Sequence, residues 1–286
     1  MIVVVDSGAT KADWKVVDGK ESHLIHSMGL SPVFHTEDFI YQEIRKAFVG
    51  VASTQAIDQV YYYGTGCWDP GRKGIVEHAL RRVFTHADVL VEHDLLGAAR
   101  AACGRTPGIA CILGTGSNSC LFDGENITDN VTNLGYLLGD EGSGVFLGKM
   151  LIQAYFYREL PRDLMPAFEA FHPGGRPAIL DKTYGKEAPN VYLASFMPFF
   201  AKHKEHFYIQ KMLYTAFAQF IDRHARKYKD HISIPVNFVG SVAYYFQHIM
   251  KVVLEERSMH PGNFIQKPID SLADFHQSPS STLVDV

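Results

Sequence analysis

The sequence predicts an α/β protein made of two related domains. Three observations carry this: apolar strands alternate with amphipathic helices, a strand, glycine turn and returning strand occur together twice, and 286 residues suffice for two cores. Hydrophobic residues make up 47% and charged residues 20%, the balance of an ordinary globular chain rather than a disordered or fibrous one. A formal net charge of −4 with scattered basic residues argues against a nucleic-acid partner. No apolar run approaches the roughly 20 residues that span a bilayer, and no basic, cleavable leader opens the chain. A cytoplasmic protein without a membrane partner is expected.

The first elements read as three strands over 2–6, 12–17 and 22–27, separated by Ser7-Gly8-Ala9 and Asp18-Gly19-Lys20, which is an antiparallel meander. A helix over 36–49 follows, with Thr36 as its N-cap and Glu37 and Asp38 at its positive end. Strands over 59–63 and 87–92 then alternate with helices over 72–84 and 95–103. At Gly104-Arg105-Thr106-Pro107-Gly108 the pattern breaks and a second meander begins, with strands over 109–113, 117–122 and 127–134. From 144 to about 228 the chain is mainly helical; a strand over 236–239 and a helix from Ser241 complete the reading, and the tail from Ser278 is polar and frayed. Domain boundaries are expected at 1–106, joined by a C-terminal helix at about 270–286, and at 107–269.

Both meanders turn on glycines flanked by hydroxyls, Asp6-Ser7-Gly8-Ala9-Thr10-Lys11 and Gly114-Thr115-Gly116-Ser117. Amides in such turns converge on an anion, and glycine admits phosphate oxygens close to the main chain. Either turn alone is an ordinary hairpin; the pair suggests a phosphate chain gripped between two domains. Asp6 then suits an oxygen ligand for hydrated Mg²⁺, and Lys11 is either a phosphate partner or a solvated strand-edge lysine. Asp94, between a strand and a small-residue helix, is an N-cap or a catalytic carboxylate. The loop over 135–144 either initiates a helix or recognises polyol hydroxyls through its acidic residues. Phe238-Val239-Gly240-Ser241 fits a nucleotide against backbone, as it fits any tight strand-to-helix connection.

The four cysteines, Cys67, Cys103, Cys111 and Cys120, form no CxxC pair and read as reduced, mostly buried thiols. His203, His206 and His224 are too sparse for a metal site, and Trp14 and Trp68 read as core or rim packing.

Taken in order, "VVVDSGATKADW", "LGTGSNS", "GDEGSG" and "FVGSVA", with Asp94 between the first two, resemble the actin, hexokinase and chaperone ATPase superfamily. Within it they are similar to the N-acetylglucosamine kinase branch of the BadF/BadG/BcrA/BcrD ATPase family. The resemblance covers nearly the whole chain. It implies two actin-like (ribonuclease H-like) domains with mixed five-stranded sheets flanking an ATP and sugar cleft, and an ATP-dependent kinase acting on the 6-hydroxyl of an amino sugar, N-acetylglucosamine first. By the same resemblance Asp94 is the general base. Ser7, Gly8, Ala9, Thr10, Lys11, Gly114, Gly116, Ser117, Gly240 and Ser241 meet ATP, and Asp6 meets Mg²⁺ through water. Ser31, Thr115, Asn118, Asp140 and Glu141 meet or support the sugar. Leu134 stands where N-acetylglucosamine kinases carry a tryptophan, which keeps N-acetylmuramic acid and glucosamine open as substrates. Two further alternatives are an ATPase activator of a 2-hydroxyacyl-CoA dehydratase, which needs surface cysteine thiolates for an iron–sulfur cluster, and a nucleotide-binding regulator without turnover. The family is often dimeric, and the helices between 155 and 228 are a candidate interface for a homodimer.

Overall fold

A computed structural model describes residues 1–8, 10–50, 54–185 and 188–278. In chain order the strands are β1 (Ile2–Ser7), β2 (Lys11–Asp18), β3 (Glu21–Met28), β4 (Gln59–Gly64), β5 (Asp88–His93), β6 (Gly108–Leu113), β7 (Ser117–Phe122), β8 (Ile127–Asp129), β9 (Pro235–Val239) and β10 (His260–Ile265). The helices are α1 (Glu37–Phe48), α2 (Pro70–Val83), α3 (Asp94–Cys103), α4 (Gly135–Leu138), α5 (Gly144–Phe156), α6 (Met165–Phe171), α7 (Gly175–Tyr184), α8 (Pro189–Ala194), α9 (Met197–Lys202), α10 (Phe207–Arg223), α11 (Ser241–Tyr245), α12 (Gln247–Glu255) and α13 (Ile269–Gln277). They divide into one unit of Met1–Gly104 with the segment from Lys267 onward, and a second of Arg105–Gln266.

The first unit carries a five-stranded sheet in the order β3-β2-β1-β4-β5. β1 to β3 form the antiparallel meander, while β1, β4 and β5 run parallel. One face, with Val3, Val5, Trp14, Val60 and Tyr62, packs on Ile40, Ile44 and Phe48 of α1 and Val76 and Leu80 of α2. Val4, Val17 and Tyr63 on the other face pack on Ala101 of α3 and Ile269, Leu272 and Ala273 of α13. Burial on both faces is why β1 reads as an unbroken apolar run instead of an alternating one. Thr36 caps α1 by accepting the Phe39 amide at 3.3 Å, and Asp69 caps α2 by accepting the Arg72 amide at 2.9 Å, ahead of Pro70 at the first helical position. α13 is docked by Lys15–Asp270 at 2.6 Å and by His276, whose ring stacks on Tyr61 and whose Nε2 lies 2.8 Å from the Tyr63 hydroxyl.

The second unit repeats the plan as β10-β9-β6-β7-β8, with β6 to β8 antiparallel and β6, β9 and β10 parallel. Its core joins Ile109, Cys111, Leu113, Val236 and Phe238 to Leu147 and Leu151 of α5, Leu213, Phe217 and Phe220 of α10, and Met250 and Val253 of α12. The long crossover between β8 and β9 is the helical stretch α4 to α10. The two five-stranded mixed sheets of the expected fold class are present.

A short helix, α4, lies within the expected 135–144 loop, and three further elements differ from the sequence reading. β8 ends at Asp129 rather than reaching 134, because side-chain bonds replace the ladder: Asn130 Nδ2 donates to the Ser119 carbonyl at 2.6 Å, and the Val131 amide donates to the Tyr228 hydroxyl at 3.1 Å. β10 was not expected, since Pro261-Gly262 reads as a turn; it lies at the sheet edge with a register shift between Pro261 and Phe264, where such residues are tolerated. α3 is capped by His93, whose Nδ1 accepts the Leu95 amide at 3.2 Å, so Asp94 is its first helical residue and not its cap. The frayed tail beyond Ser278, and the C-terminal helix beyond the same point, lie outside the described residues. No helix among the described residues is long and apolar enough to cross a membrane.

Candidate active site

Parallel strands bring their carboxyl ends to one edge of a sheet, where open α/β sheets bind ligands. In the first unit that edge carries the turn after Ser7 (β1), Gly64 (β4) and Asp94, directly after β5. In the second it carries Gly114 after β6 and Gly240 after β9. Local folding therefore delivers the sequence-selected turns of each unit to a single edge.

In the first unit, Asp6 is half-buried and shares a sheet face with Asp13, its partner across β1 and β2. Burial raises its carboxyl from 3.8 to about 7, and the negative charges of Asp94 and Asp13 add to this while Lys11 opposes it. Asp13 is buried, with His26 Nδ1 at 2.7 Å and Lys267 Nζ at 3.8 Å. Asp94 is one-quarter exposed, and its Oδ1 lies 3.1 Å from His93 Nδ1. The Gly8 amide donates to the Lys11 carbonyl at 3.0 Å, closing the turn, and Thr10 and Lys11 are exposed. Ala9 lies outside the described residues.

This carboxylate-rich edge has the chemistry a divalent cation would relieve, because a cation beside Asp6 opposes the charges that lift its carboxyl. Among the described residues no three His, Cys, Asp or Glu side chains converge on a metal position. A cation held through one carboxylate and waters matches such a donor set. Between pH 4 and 7 the folded chain binds a proton at Asp6 that the unfolded chain has lost, so this group's contribution to stability falls as pH rises through 7. We expect Asp6→Asn to melt higher than the parent at pH 8 without divalent cation, and Mg²⁺ to raise the melting temperature of the parent only. Identical melting curves for the two proteins in both conditions would remove the buried charge from this account.

Two hydroxyls among the expected site residues of the first unit are engaged within the fold. The Ser7 hydroxyl, fully buried, donates to the Leu30 carbonyl at 3.2 Å and accepts the Leu30 amide at 3.0 Å, so it anchors the 29–32 loop and has no free side chain for phosphate. Ser31 is buried in its own turn, its Oγ accepting the Val33 amide at 3.4 Å, against Gly66 at φ +84°.

In the second unit, the Gly114 amide donates to the Gly116 carbonyl at 3.0 Å, and the start of α5 is bonded to the same turn through Gly144 N–H to Gly114 (2.9 Å) and Val145 N–H to Thr115 (3.1 Å). Thr115 is exposed; Asn118 Oδ1 accepts the Ser119 amide at 2.9 Å. Asp140, buried and at φ 58°, accepts the Ser117 amide on Oδ1 at 3.0 Å. Gly240, at φ +120°, lies so close to β6 that a Cβ there would stand 2.3 Å from the Leu113 carbonyl oxygen. Ser241 follows it, exposed. Glu141 is tied into the fold: burial raises its carboxyl, but its own amide, Arg223 and His224 outweigh that and hold it below the ordinary range. Asn133, which spacing did not single out, bonds Ser117, Asp140 and Gly135.

Other expectations settle into packing. Trp14 is fully buried with Nε1 on Ser27 Oγ at 2.9 Å, and Trp68 is exposed beneath Arg72. His206 caps α10, accepting the Tyr208 amide. Cys67, Cys111 and Cys120 are buried and Cys103 is half-buried; burial first, then Asp94, pushes the Cys67 thiol up to about 12. This leaves the dehydratase-activator alternative without a surface pair of thiolates.

No protein-family profile and no curated protein matches the sequence. Among solved structures, a provisionally named N-acetylglucosamine kinase from Porphyromonas gingivalis matches with a TM-score of 0.91 and 36% identity, covering 96% of this chain and 98% of its own. One of the same provisional name from Chromobacterium violaceum matches with a TM-score of 0.71 and 17% identity, over 96% of this chain and 98% of its own. A ROK family glucokinase from Streptomyces griseus, solved with glucose and AMPPNP, matches with a TM-score of 0.57 and 14% identity, over 97% and 99%. The last two establish likeness of fold alone.

Proposed function

The chain belongs to the same sugar-kinase family as the Porphyromonas gingivalis protein, and we propose that it transfers the γ-phosphate of ATP to the 6-hydroxyl of an amino sugar, N-acetylglucosamine first. The observation that carries this reading is the kinship itself, since 36% identity over 96% of the chain extends through both units. The motif order supports placing it in the N-acetylglucosamine kinase branch of the BadF/BadG/BcrA/BcrD ATPases.

Phosphoryl transfer depends on alignment and on neutralising charge more than on covalent chemistry. Asp94, partly exposed at the end of β5, accepts the proton of the attacking hydroxyl. Gly8, with Thr10 and Lys11 after it, admits phosphate oxygens to the main chain of the first unit and the exposed side chain of Lys11 offsets phosphate charge; Gly114 and Gly116 do the same in the second unit, with the buried Ser117 hydroxyl next to Gly116. The Gly240 backbone and Ser241 meet the nucleotide. Asp6 would hold a Mg²⁺ through its waters, and the cation would supply the remaining charge neutralisation. Thr115, Asn118 and Asp140 orient the sugar, with Ser31 shaping its loop from within. Turnover and exclusion of water both depend on the two substrates being present together.

The test is ADP release from Mg·ATP with N-acetylglucosamine, glucosamine, N-acetylmuramic acid, glucose and no sugar. Release that depends on one amino sugar supports the reading and identifies the acceptor that Leu134 leaves open; release independent of sugar, or none with any of them, removes it.

A further inference from the structure

We propose that Asn133 is a positioning residue that couples the sugar loop to the second phosphate turn, so that amino sugar and nucleotide bind cooperatively through Asn133, Asp140 and Ser117. The inference rests on the sugar-kinase reading and concerns groups of the second unit alone.

The Asn133 side chain uses both ends of its amide. Its Nδ2 donates to the Ser117 carbonyl and, at 3.0 Å, to Asp140 Oδ1, while its Oδ1 accepts the Gly135 amide. Asp140 Oδ1 also accepts the Ser117 amide at 3.0 Å. Main chain and side chain of three segments, 116–117, 133–135 and 140, thus meet in one network. Packing makes the link stiff, because a Cβ on Gly116 would lie 3.0 Å from both carboxylate oxygens of Asp140. A shift of that carboxylate is therefore transmitted to the turn.

Two further observations give the network something to act on. Ser117 Oγ is buried, 3% exposed, and has no hydrogen-bond partner among the described residues. The turn that Asn133 grips thus presents an unsatisfied hydroxyl, and a buried hydroxyl is costly unless a ligand atom meets it. In addition, the loop between Asn133 and Asp140 has little apolar anchoring: Leu134, Leu137 and Leu138 are 61%, 75% and 76% exposed. Its tethers are polar, namely Asn133, Asp140 and the Lys149 ammonium on the Tyr136 carbonyl at 2.6 Å. A loop fixed by a few polar bonds is one that a sugar contacting Asp140 biases, and Asn133 passes that bias to the turn that holds phosphate.

The experiment measures AMPPNP affinity by calorimetry with and without saturating N-acetylglucosamine, in the parent, Asn133→Asp and Asn133→Ser. Aspartate keeps the shape and the acceptor for Gly135 but loses both donors; serine removes them without adding charge, and carries the test should the aspartate variant fail to fold. In the parent the sugar is expected to tighten AMPPNP about 5-fold or more, the lower range of ordinary coupling, and in the variants about 2-fold or less, with AMPPNP alone binding as in the parent. Because coupling is reciprocal, AMPPNP must tighten the sugar by the same factor. Parent-like coupling in the variants overturns the inference. So does an equal loss of AMPPNP affinity with and without sugar, which is the mark of a merely structural residue. A parent that binds both ligands but shows no coupling between them overturns the inference and leaves the sugar-kinase reading standing, whereas a parent that binds AMPPNP but none of N-acetylglucosamine, glucosamine and N-acetylmuramic acid places the failure in that reading and takes the inference with it.

Discussion

Asp94→Asn is expected to fold, to bind AMPPNP as the parent does, and to lose roughly 10²- to 10⁴-fold in sugar-dependent kcat, the range for loss of a general base. The structure explains why the two effects separate. α3 is started by the His93 cap and not by the Asp94 carboxylate, so asparagine removes only a favourable charge from the first turn, about 0.3–1 kcal/mol. The amide keeps the size of the carboxylate but cannot take a proton from the attacking hydroxyl. Asp94 also raises the Asp6 carboxyl, so the variant should hold Asp6 ionised to lower pH, and any metal dependence of binding should extend downward in pH with it. Steady-state turnover with the preferred amino sugar checks the first effect and calorimetry with AMPPNP the second; kcat within about 3-fold of the parent would take Asp94 out of the role of base.

Gly240→Ala is the second large effect, and it acts on stability and nucleotide binding together. At φ +120° and ψ 155° the residue occupies backbone space that is essentially restricted to glycine, a strain of about 1–3 kcal/mol for any other residue. The added methyl meets main chain, 2.3 Å from the Leu113 oxygen and 3.2 Å from the Gly114 nitrogen, where no side chain can swing away. Overpacking of this kind adds about 1–3 kcal/mol. The sum is a large part of the 5–15 kcal/mol that typically holds a domain together. What relaxation does occur must push β9 from β6 and displace Gly114, so AMPPNP affinity should fall in whatever fraction remains folded. Denaturant unfolding gives the first quantity; an unchanged midpoint would mean that the β9 to α11 connection does not approach β6 as described.

Much of the architecture was legible because burial on a strand or helix leaves a local trace. β1, β2 and β3 were read to within one residue at each end from their apolar runs and polar turns, and the α1 cap from Thr36 and the acidic residues after it. The repetition of the meander pointed to two related units, and their two sheets share one strand order. β10 left no such trace: Pro261 and Gly262 signal a turn, and the strand exists because Gly262 lets the chain close on Asn237, whose Oδ1 accepts the Asn263 amide at 2.9 Å. In the candidate site, backbone features were visible and side-chain partners were not. The glycines of both turns could be picked out from spacing, whereas the bond between Ser7 and Leu30, 23 residues away, and that between Glu141 and Arg223, 82 away, depend on tertiary contact. Asn133 escaped for the same reason, since its partners at Ser117 and Asp140 meet it only in the fold. Asp94 shows the limit of local reasoning most clearly: cap and base make the same sequence pattern, and the neighbouring His93 imidazole is what removes the first reading.

The most direct test of the central claim follows the transferred phosphorus itself, by ³¹P NMR of the protein with Mg·ATP and N-acetylglucosamine. The account predicts ADP and a sugar 6-phosphate ester appearing in equal amounts, with little inorganic phosphate. Inorganic phosphate matching the ADP, with no sugar ester from N-acetylglucosamine or any other amino sugar, would contradict it.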